Sequence, residues 1–597
     1  MVAINLEGFG GMIPATDDRL LPNANGSLSE NTWVYKGTLR GIHEPVSVYT
    51  CQEAATKKVY RIPIEYFDKD HINDSFWMEF EVADTDVVRS PTIGDSFDRY
   101  YWAQSQDIIA GAPYYNTRAR IINSDPPFLL GIPAPTVAPV VTGITGGSGP
   151  NETRAYVYTW QTAYGEESSP SPPVTYSGHA NGTWEIQVTA PGSGVTSNRN
   201  IQYTNIYRTI TSSLGTATYY FVAQLPIATL TYSDAIATTV VSVQNILKST
   251  YWTPPPEDLE GLVSMPNGMI AGWRDNEVWF CEPYRPHAWP VSYTVSVEFP
   301  IVGCGVIGQT LIACTTGNPY AVSGVNPSQM SLSRLAQFEP CLSRGSIVST
   351  PVGVAYASSN GLAIAQAGYV SVVSRQMIGK DDWQSLLSLP TVRASTLNGG
   401  YYCWGSVRGG CFDSEAFDVD AFLQDDFSGA FTGAFIDTND ARVAYNRLAF
   451  AEQPTDNVMT DHWTGELFLL RDNEVLWVDI SDARVQGSYK WRSKIFNMQS
   501  RKNLGAMRIW FDIHTGLPTL NPVPNLATNQ ELASDQWGLV RVYADSRLVY
   551  VNEIRESGQI MRLPAGFKAQ YYQVEVEARV EISKIEVAST VKELAVV

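Results

Sequence analysis

Six histidines, His43, His71, His179, His287, His462 and His514, are the side chains best suited to metal binding or proton transfer near neutral pH, and each stands alone. A zinc site gathers Cys and His ligands at short spacings, and none of the six has a partner at such a spacing. Seven cysteines (Cys51, Cys281, Cys304, Cys314, Cys341, Cys403 and Cys411) form an odd count without a C-x-x-C pair. Cys281, Cys304 and Cys314 lie in apolar strand-like runs, where a thiol acts as a small buried hydrophobe. That usage points to a reduced, cytosolic origin rather than a disulfide framework. Gly303-Cys304-Gly305-Val306-Ile307-Gly308 fits G-x-G-x-x-G, but a dinucleotide site needs that turn to open a helix. The β-rich run TLIACTT follows, so a hairpin is expected. P-loop, H-E-x-x-H and G-x-S-x-G motifs are absent.

The carboxylates are more numerous and no more specific. Asp413, Glu415, Asp418, Asp420, Asp425 and Asp426 could offer oxygen ligands to calcium. The EF-hand pattern fails, because no Gly falls at the sixth loop position and no Glu at the twelfth. The preferred reading is a solvated acidic loop anchored by Phe412, Phe417 and Phe422. Glycoside hydrolysis needs two carboxylates, and 60 acidic residues always supply a pair. His287, between Pro286 and Trp289, is read as a packing ring or a partner in a backbone hydrogen bond. The expectation is a protein that is not an enzyme, with no catalytic, cofactor-binding or metal-binding residues.

The elements that would position any site are almost all strands. The chain has 597 residues, room for roughly two to four domains. It carries 31 Tyr and 16 Trp with 46 Gly and 35 Pro, a mix that favours β-structure rich in turns. One short helix is expected over 381–389. The pentapeptide RDNEV occurs at 274–278 and again at 471–475. Each copy is preceded by a short apolar strand and followed by one containing Trp, which marks a repeated hairpin. Hairpin-like units start near residues 268, 309, 353, 399, 442 and 465, the earlier ones spaced by roughly a propeller blade. Radial repetition protects edge strands in all-β chains; a two-layer barrel or sandwich is the alternative.

The fold class expected is mainly β. An N-terminal β region spans 1–130, a platform or part of the propeller. A β-sandwich insert spans 131–250, introduced by the linker GIPAPTVAPVVTGITGGSGP and closed by the stiff YWTPPPEDL. A β-propeller-like repeat region spans 251–487, and a C-terminal antiparallel β module spans 488–597. In the last, Tyr572, Val574, Val576, Ala578, Val580 and Ile582 alternate onto one face. Glu575, Glu577, Arg579 and Glu581 are assigned to solvent.

Net charge is −19. Stable nucleic-acid binding wants clustered Lys and Arg, so none is expected. No apolar run reaches membrane-spanning length. The opening MVAINLEGFGGMIP lacks the charged and apolar regions of a signal peptide, so the N-x-S/T matches at Asn25, Asn73, Asn151 and Asn181 carry no meaning.

Two resemblances emerge from particular residues. YTWQTAYGEESSPSP together with NIYRT resembles a fibronectin type III module of about 100 residues, a fold that assigns no chemistry by itself. A second series covers most of the remaining chain: LVSMPNGMIAGW, CEPYRPHAWP (281–290), TTGNPYAVSGVNPSQMS (315–331), EPCLSRGSIV (339–348), YASSNGLAI (356–364), YKWRSKIF (489–496), MRLPAGFKA (561–569) and IEVASTVKEL (585–594). It resembles the tail-tube, or nozzle, structural proteins of short-tailed bacteriophages. Cys281 and the insert depart from that pattern. The resemblance implies a homohexameric ring in the virion tail, made in the host cytoplasm. Such a ring touches the tail adaptor and the tail fibre or spike proteins, and phage DNA passes through it during ejection. A net negative ring suits passage, since Lys and Arg contacts would hold the DNA. The rival reading is a carbohydrate- or receptor-binding β-propeller whose Trp and Tyr stack on sugars. Most of these aromatics lie inside alternating strands, which favours core packing.

Overall fold

The structure is a computed structural model that describes residues 4–35, 37–42, 45–104, 113–210, 218–386, 389–397, 400–405, 409–412, 445–448, 455–478, 487–512 and 537–594. The acidic run 413–426, His43 and His514 lie outside these residues. The chain is mainly β and divides into two compact units: 84–315 with 320–334, and 1–83 with 316–319 and 335–597. Each contains four-stranded antiparallel sheets of propeller-blade type, and one contains a fibronectin type III-like sandwich.

In the 84–334 unit, one such sheet is built from Thr85–Arg89, Arg99–Gln104, Tyr114–Thr117 and Phe128–Leu129. The insert follows as two facing sheets. Val140–Thr145, Thr183–Gln187 and Thr231–Asp234 form one; Val174–His179, Asn151–Thr162, Ile201–Thr209 and Tyr219–Pro226 form the other. Their inner faces share Tyr156, Tyr158, Trp160, Trp184, Ile186 and Ile206. After the insert come two more blade-like sheets, Gly261–Met265 to Val295–Ser296 and Ile301–Ile307 to Ser331–Arg334. Consecutive sheets bury their apolar faces against each other: Ala271, Trp273 and Phe280 meet Leu311, Ala313 and Val322. A fully buried aliphatic or aromatic side chain contributes about 1.5–3 kcal/mol. The G-x-G-x-x-G match ends the strand Ile301–Ile307 and turns at Gly308 (φ 55°) into the strand Thr310–Thr315, so a hairpin forms there.

In the other unit, a blade-like sheet runs over Val348–Thr350 to Val370–Val372, and the strands Arg393–Leu397 to Tyr445–Leu448 form one end of an 11-stranded sheet. The helix Lys380–Leu386 lies between them, its Trp383 buried beside Leu362 and Tyr401. A third sheet has Asn457–Thr460, Leu467–Arg471 and Glu474–Val478 from one stretch of chain, and its fourth strand is Val46–Thr50.

That borrowed strand explains the repeated pentapeptide. In both copies the Asp-Asn pair makes a two-residue turn with positive φ at Asp275 and at Asp472 and Asn473. Asx residues tolerate that region and are favoured in such hairpins. Glu277 then faces Ser296 and Val278 faces Val295; Glu474 faces Thr50 and Val475 faces Tyr49. Asn276 Nδ2 donates to the Val297 carbonyl (2.9 Å) while Asn276 O accepts from Val297 N (2.9 Å). Asn473 does the same to Cys51, at 3.0 and 2.8 Å. The repeat therefore encodes a hairpin plus a clamp on the incoming fourth strand, wherever in the chain that strand originates. Asn473→Ala is expected to cost about 1 kcal/mol and to speed amide exchange over 46–51, with Asn276→Ala doing likewise around 297. Unchanged exchange in both segments would reject the clamp.

The C-terminal module is not confined to 488–597. The strand Ala569–Ala578 pairs with Tyr489–Ser493, Phe496–Lys502 and Gly538–Ala544, and Tyr489–Ser493 pairs with Asn25–Glu30. A second sheet pairs Ile4–Glu7 and Ala506–Asp512 with Glu581–Ala588. The expected 1–130 region is thus divided: its early strands complete sheets of this unit, and its 85–129 strands form a sheet of the other. Backbone donors and acceptors along an edge strand need partners, and sequence adjacency does not decide which strand supplies them.

The alternation over 572–582 places all six predicted apolar side chains in the core. The assignment of Glu575 and Glu581 to solvent is corrected. Glu575 is 1% exposed and bonds Arg492 Nε (2.5 Å) and Arg541 Nη1 (2.9 Å). Glu581 is buried against Thr38 Oγ1 (2.7 Å) and Arg40 Nε (3.2 Å). The strand Ala569–Ala578 is internal to its sheet, so Arg492 and Arg541, aligned on its two neighbouring strands, cover Glu575.

Candidate functional site

A concentration of ionisable groups lies where the insert joins the blade-like sheets of the 84–334 unit. It begins with a short sequence, TAYGEESSPS. After Asn151–Thr162 the chain turns and runs back along the same strand. Ser168 Oγ accepts from Trp160 N (3.0 Å) and Ser171 Oγ accepts from Tyr158 N (3.1 Å). Serine hydroxyls occupy ladder positions in a stretch whose prolines, Pro170, Pro172 and Pro173, lack an N–H.

The turn carries Tyr164, Glu166 and Glu167 into three different environments. Tyr164 packs among Phe97 (4.6 Å between ring centroids), Tyr115 (6.2 Å) and Phe128 (6.5 Å). Glu166 points to the sheet at 85–129 and meets Arg99 Nη1 at 2.7 Å; Arg99 Nε holds Asp95 at 2.8 Å. Burial pushes the Glu166 carboxyl above its ordinary range, and the Arg99 charge opposes that. Glu167 turns the other way, onto the sandwich, where its Oε1 accepts from Thr159 Oγ1 (2.5 Å), Tyr207 OH (2.7 Å) and Asn205 Nδ2 (3.2 Å). Burial, then the Glu167 carboxylate, raises the Tyr207 phenol above its ordinary range.

The backbone N–H of Glu167 donates to His287 Nε2 at 3.4 Å. His287 belongs to the exit loop CEPYRPHAWP, and its ring stands edge-on to Trp252 at 5.6 Å. Burial, helped by Arg285 and Arg99, lowers its pKa to about 3, so the imidazole is a neutral acceptor. The same loop braces the second linker: Trp289 N donates to Thr253 O (2.7 Å), Thr253 Oγ1 to Trp289 O (2.5 Å) and Trp289 Nε1 to Pro286 O (2.8 Å). Arg199 Nη1 caps the first linker at the carbonyls of Leu130 and Gly131, both at 2.8 Å. Gly131 has φ 81°, and a Cβ there would meet Pro254 and Pro255 at 2.5–2.8 Å. The two ends of the insert therefore cross in contact, and the module is keyed to its unit by ion pair, aromatic plug and linker crossing together.

The insert also holds a buried charge triad. Asp234 Oδ2 meets Arg208 Nη1 at 2.5 Å and Arg154 Nη1 at 3.6 Å and accepts from Tyr156 OH at 2.7 Å. The Arg154 guanidinium lies over the Trp184 ring at 4.5 Å. At the other end of the strand pair that carries Arg154 and Arg208, an open cleft of about 560 Å³ is lined by Phe128, Gln202 and Ile227 with the short helix Ser193–Asn198. Thr196 and Ser197 spend their hydroxyls on the carbonyls of Gly192 and Ser193.

The expected roles for His287 are both present. Sequence reasoning missed Glu166, Glu167, Arg99 and Arg199; adjacent glutamates in a turn bordered by Tyr and Ser were the available signal. His71 sits on Asp68, His179 faces the Gly149 carbonyl and His462 stands edge-on to Trp463. Cys281 and Cys314 are buried and Cys304 is half-buried, and the six cysteines with described surroundings are free. Among the described residues no three His, Cys, Asp or Glu side chains converge as metal ligands. None of the described helices is long and apolar enough to cross a membrane.

No known protein family matches the chain, and no curated protein matches it. Similar solved structures include BBS1N in complex with ARL6DN (9% identity, TM-score 0.24, covering 46% of this chain and 88% of that one). PorZ, a surface component of the type-IX secretion system of Porphyromonas gingivalis, is 8% identical with a TM-score of 0.23, over 68% of this chain and 46% of its own. The extracellular domain of BT4673 from B. thetaiotaomicron is 11% identical with a TM-score of 0.17, over 57% and 53%. The chain thus spans about half the length of the last two.

Proposed function

We propose that this chain is a structural virion protein of a short-tailed bacteriophage, the subunit of a distal tail-tube ring that conducts and gates DNA during ejection. The observation that carries the reading is where the nozzle-like segments fall: at internal joints. CEPYRPHAWP seats the insert. In EPCLSRGSIV, Glu339 accepts from Ser358 Oγ and Asn360 Nδ2, both at 3.0 Å, and Ser343 Oγ donates to Val392 O at 2.6 Å. In YKWRSKIF, Trp491 Nε1 donates to Gly10 O (3.0 Å) and Arg492 holds Glu575. Segments spent on joinery suit a part whose task is shape. The −19 charge, multiplied around a ring, disfavours retention of DNA. The other tail parts, an adaptor and fibres or spikes, would dock on that ring.

Native mass spectrometry of the full chain, with electron-microscope class averages, tests this. A six-fold ring with a central hole is the expected result. A chain that stays monomeric at every concentration tried and gives a compact solid outline would overturn it, and a glycan screen would then test the sugar-binding alternative.

A further inference from the structure

Charge is distributed unevenly along this chain. Residues 488–597 hold 14 Lys and Arg against 11 Asp and Glu, a surplus of +3, so the other 487 residues carry −22. Eight of the 14 cations form two contrasting sets. Arg492, Arg508, Arg541 and Lys584 are committed to the buried carboxylates Glu575 and Glu586. Arg501, Lys502, Arg547 and Lys568 are exposed around one corner of the module.

Strand register and turn geometry build that corner. Lys502 ends the strand Phe496–Lys502 opposite Ala569, next to Lys568. The Asp545-Ser546 turn abuts it, with Asp545 N donating to Tyr571 O and Asp545 Oδ1 accepting from the N–H groups of Tyr571 and Gln570. Those N–H groups, with Arg501 and Arg547 nearby, hold the Asp545 carboxyl below its ordinary range. Arg19 lies over the Tyr571 ring at 5.6 Å, and Lys494 reaches Asn23 at 3.3 Å. Six cations thus face three acids (Asp17, Asp18 and Asp545), and Leu20 projects beside them, 77% exposed.

The loop after the strand Lys58–Pro63 has the opposite character. Glu65, Asp68, Asp70 and Asp74 are opposed by Lys69, and His71 sits on Asp68 at 2.6 Å. Ile64 (47%), Tyr66 (44%) and Phe67 (40%) expose apolar surface there. The loop is firmly built: Arg61, fully buried, meets Asp461 Oδ2 at 2.8 Å and the Asp68 carbonyl at 3.3 Å, and Phe67 packs on Trp463 at 4.7 Å. A basic patch with an apolar projection and an acidic patch with apolar side chains are complementary in both respects.

We propose that neighbouring copies of this chain associate head to tail, the basic corner of one (Arg19, Leu20, Arg501, Lys502, Arg547, Lys568) docking on the acidic, aromatic loop 64–74 of the next. This rests on the ring reading above and names the surface that would close the ring. A heterologous contact between two different patches gives a ring when its rotation closes and a filament when it does not, whereas a self-matching patch stops at a dimer.

Charge reversal on the full chain tests it. One variant carries Arg501→Glu, Lys502→Glu and Lys568→Glu; the other carries Glu65→Lys, Asp68→Lys and Asp70→Lys. All six sites are exposed, and melting curves establish that each variant is folded. Native mass spectrometry at low and raised salt is expected to show association weakened at least about tenfold in each variant. An equimolar mixture is expected to reassemble, because each reversed patch meets its reversed complement. Wild-type assembly in both variants would overturn this interface and leave the ring reading standing. A wild-type chain that never assembles would sink the ring reading itself. Unchanged assembly with lost binding of a 20-base-pair duplex by the Arg/Lys variant would instead mark the corner as a nucleic-acid contact.

Discussion

Asp234→Ala is expected to destabilise the insert by about 3–5 kcal/mol, a large share of what holds a domain of its size together. The carboxylate is fully buried, and its partners Arg208 and Arg154 are 1% and 2% exposed. Removing it takes the anion from Arg208 and the acceptor from the Tyr156 hydroxyl where water cannot replace the lost bonds, while Arg154 keeps Glu152. The cost therefore comes mainly from uncompensated positive charge. Replacing Asp234 and Arg208 together by apolar residues of similar volume is expected to recover much of it. Thermal unfolding with amide exchange over 151–234 reads both variants. A loss below about 1 kcal/mol for Asp234→Ala would show that solvent reaches the triad after all.

Acidification is expected to loosen the seat of the insert through His287. Its pKa is about 3 in the folded chain against an ordinary 6.5. Between those values the unfolded chain binds a proton that the folded chain refuses. The stability present above pH 6.5 is therefore lost as pH falls through that window, by about 1.4 kcal/mol per pH unit where the proton difference is complete. Glu166 contributes the opposite slope. Its pKa is raised above 4.5, so the folded chain holds its proton longer and its contribution declines as pH rises above 4.5. His287→Gln keeps an acceptor for Glu167 N without titrating, and is expected to flatten the acid loss. Glu166→Gln is expected to steepen it. Denaturant unfolding from pH 7 to pH 4 measures all three chains. A wild-type slope unchanged by His287→Gln would remove the imidazole from the account.

Much of the fold was legible because the signals were local. Alternation over 572–582 marked the core face, since neighbouring strand residues point to opposite sides whatever the tertiary context. The RDNEV copies marked equivalent hairpins, since an Asp-Asn turn with positive φ is set by two residues. The helix at Lys380–Leu386 and the insert between its two proline-rich linkers follow from similarly short-range chemistry. The packing role of His287 was readable from Pro286 and Trp289 around it.

What failed was any inference about which distant strand or charge would arrive. Nothing near Glu474 announces that Val46–Thr50 will complete its sheet. Nothing near Glu575 announces Arg492 and Arg541, because register across three strands brings them there. A glutamate alternating with valines is written identically whether its strand lies at an edge or in the middle of a sheet, and only the second buries it. Glu166 reads as a turn residue until Arg99, 67 positions earlier, is folded beside it. The sequence alone determined strand identity, face, turn type and the strong acidic balance, all set within a few residues or by composition. The tertiary structure decided which edges are satisfied by which strands, which charges are buried in pairs, and how the insert is fixed, because those depend on long-range closure.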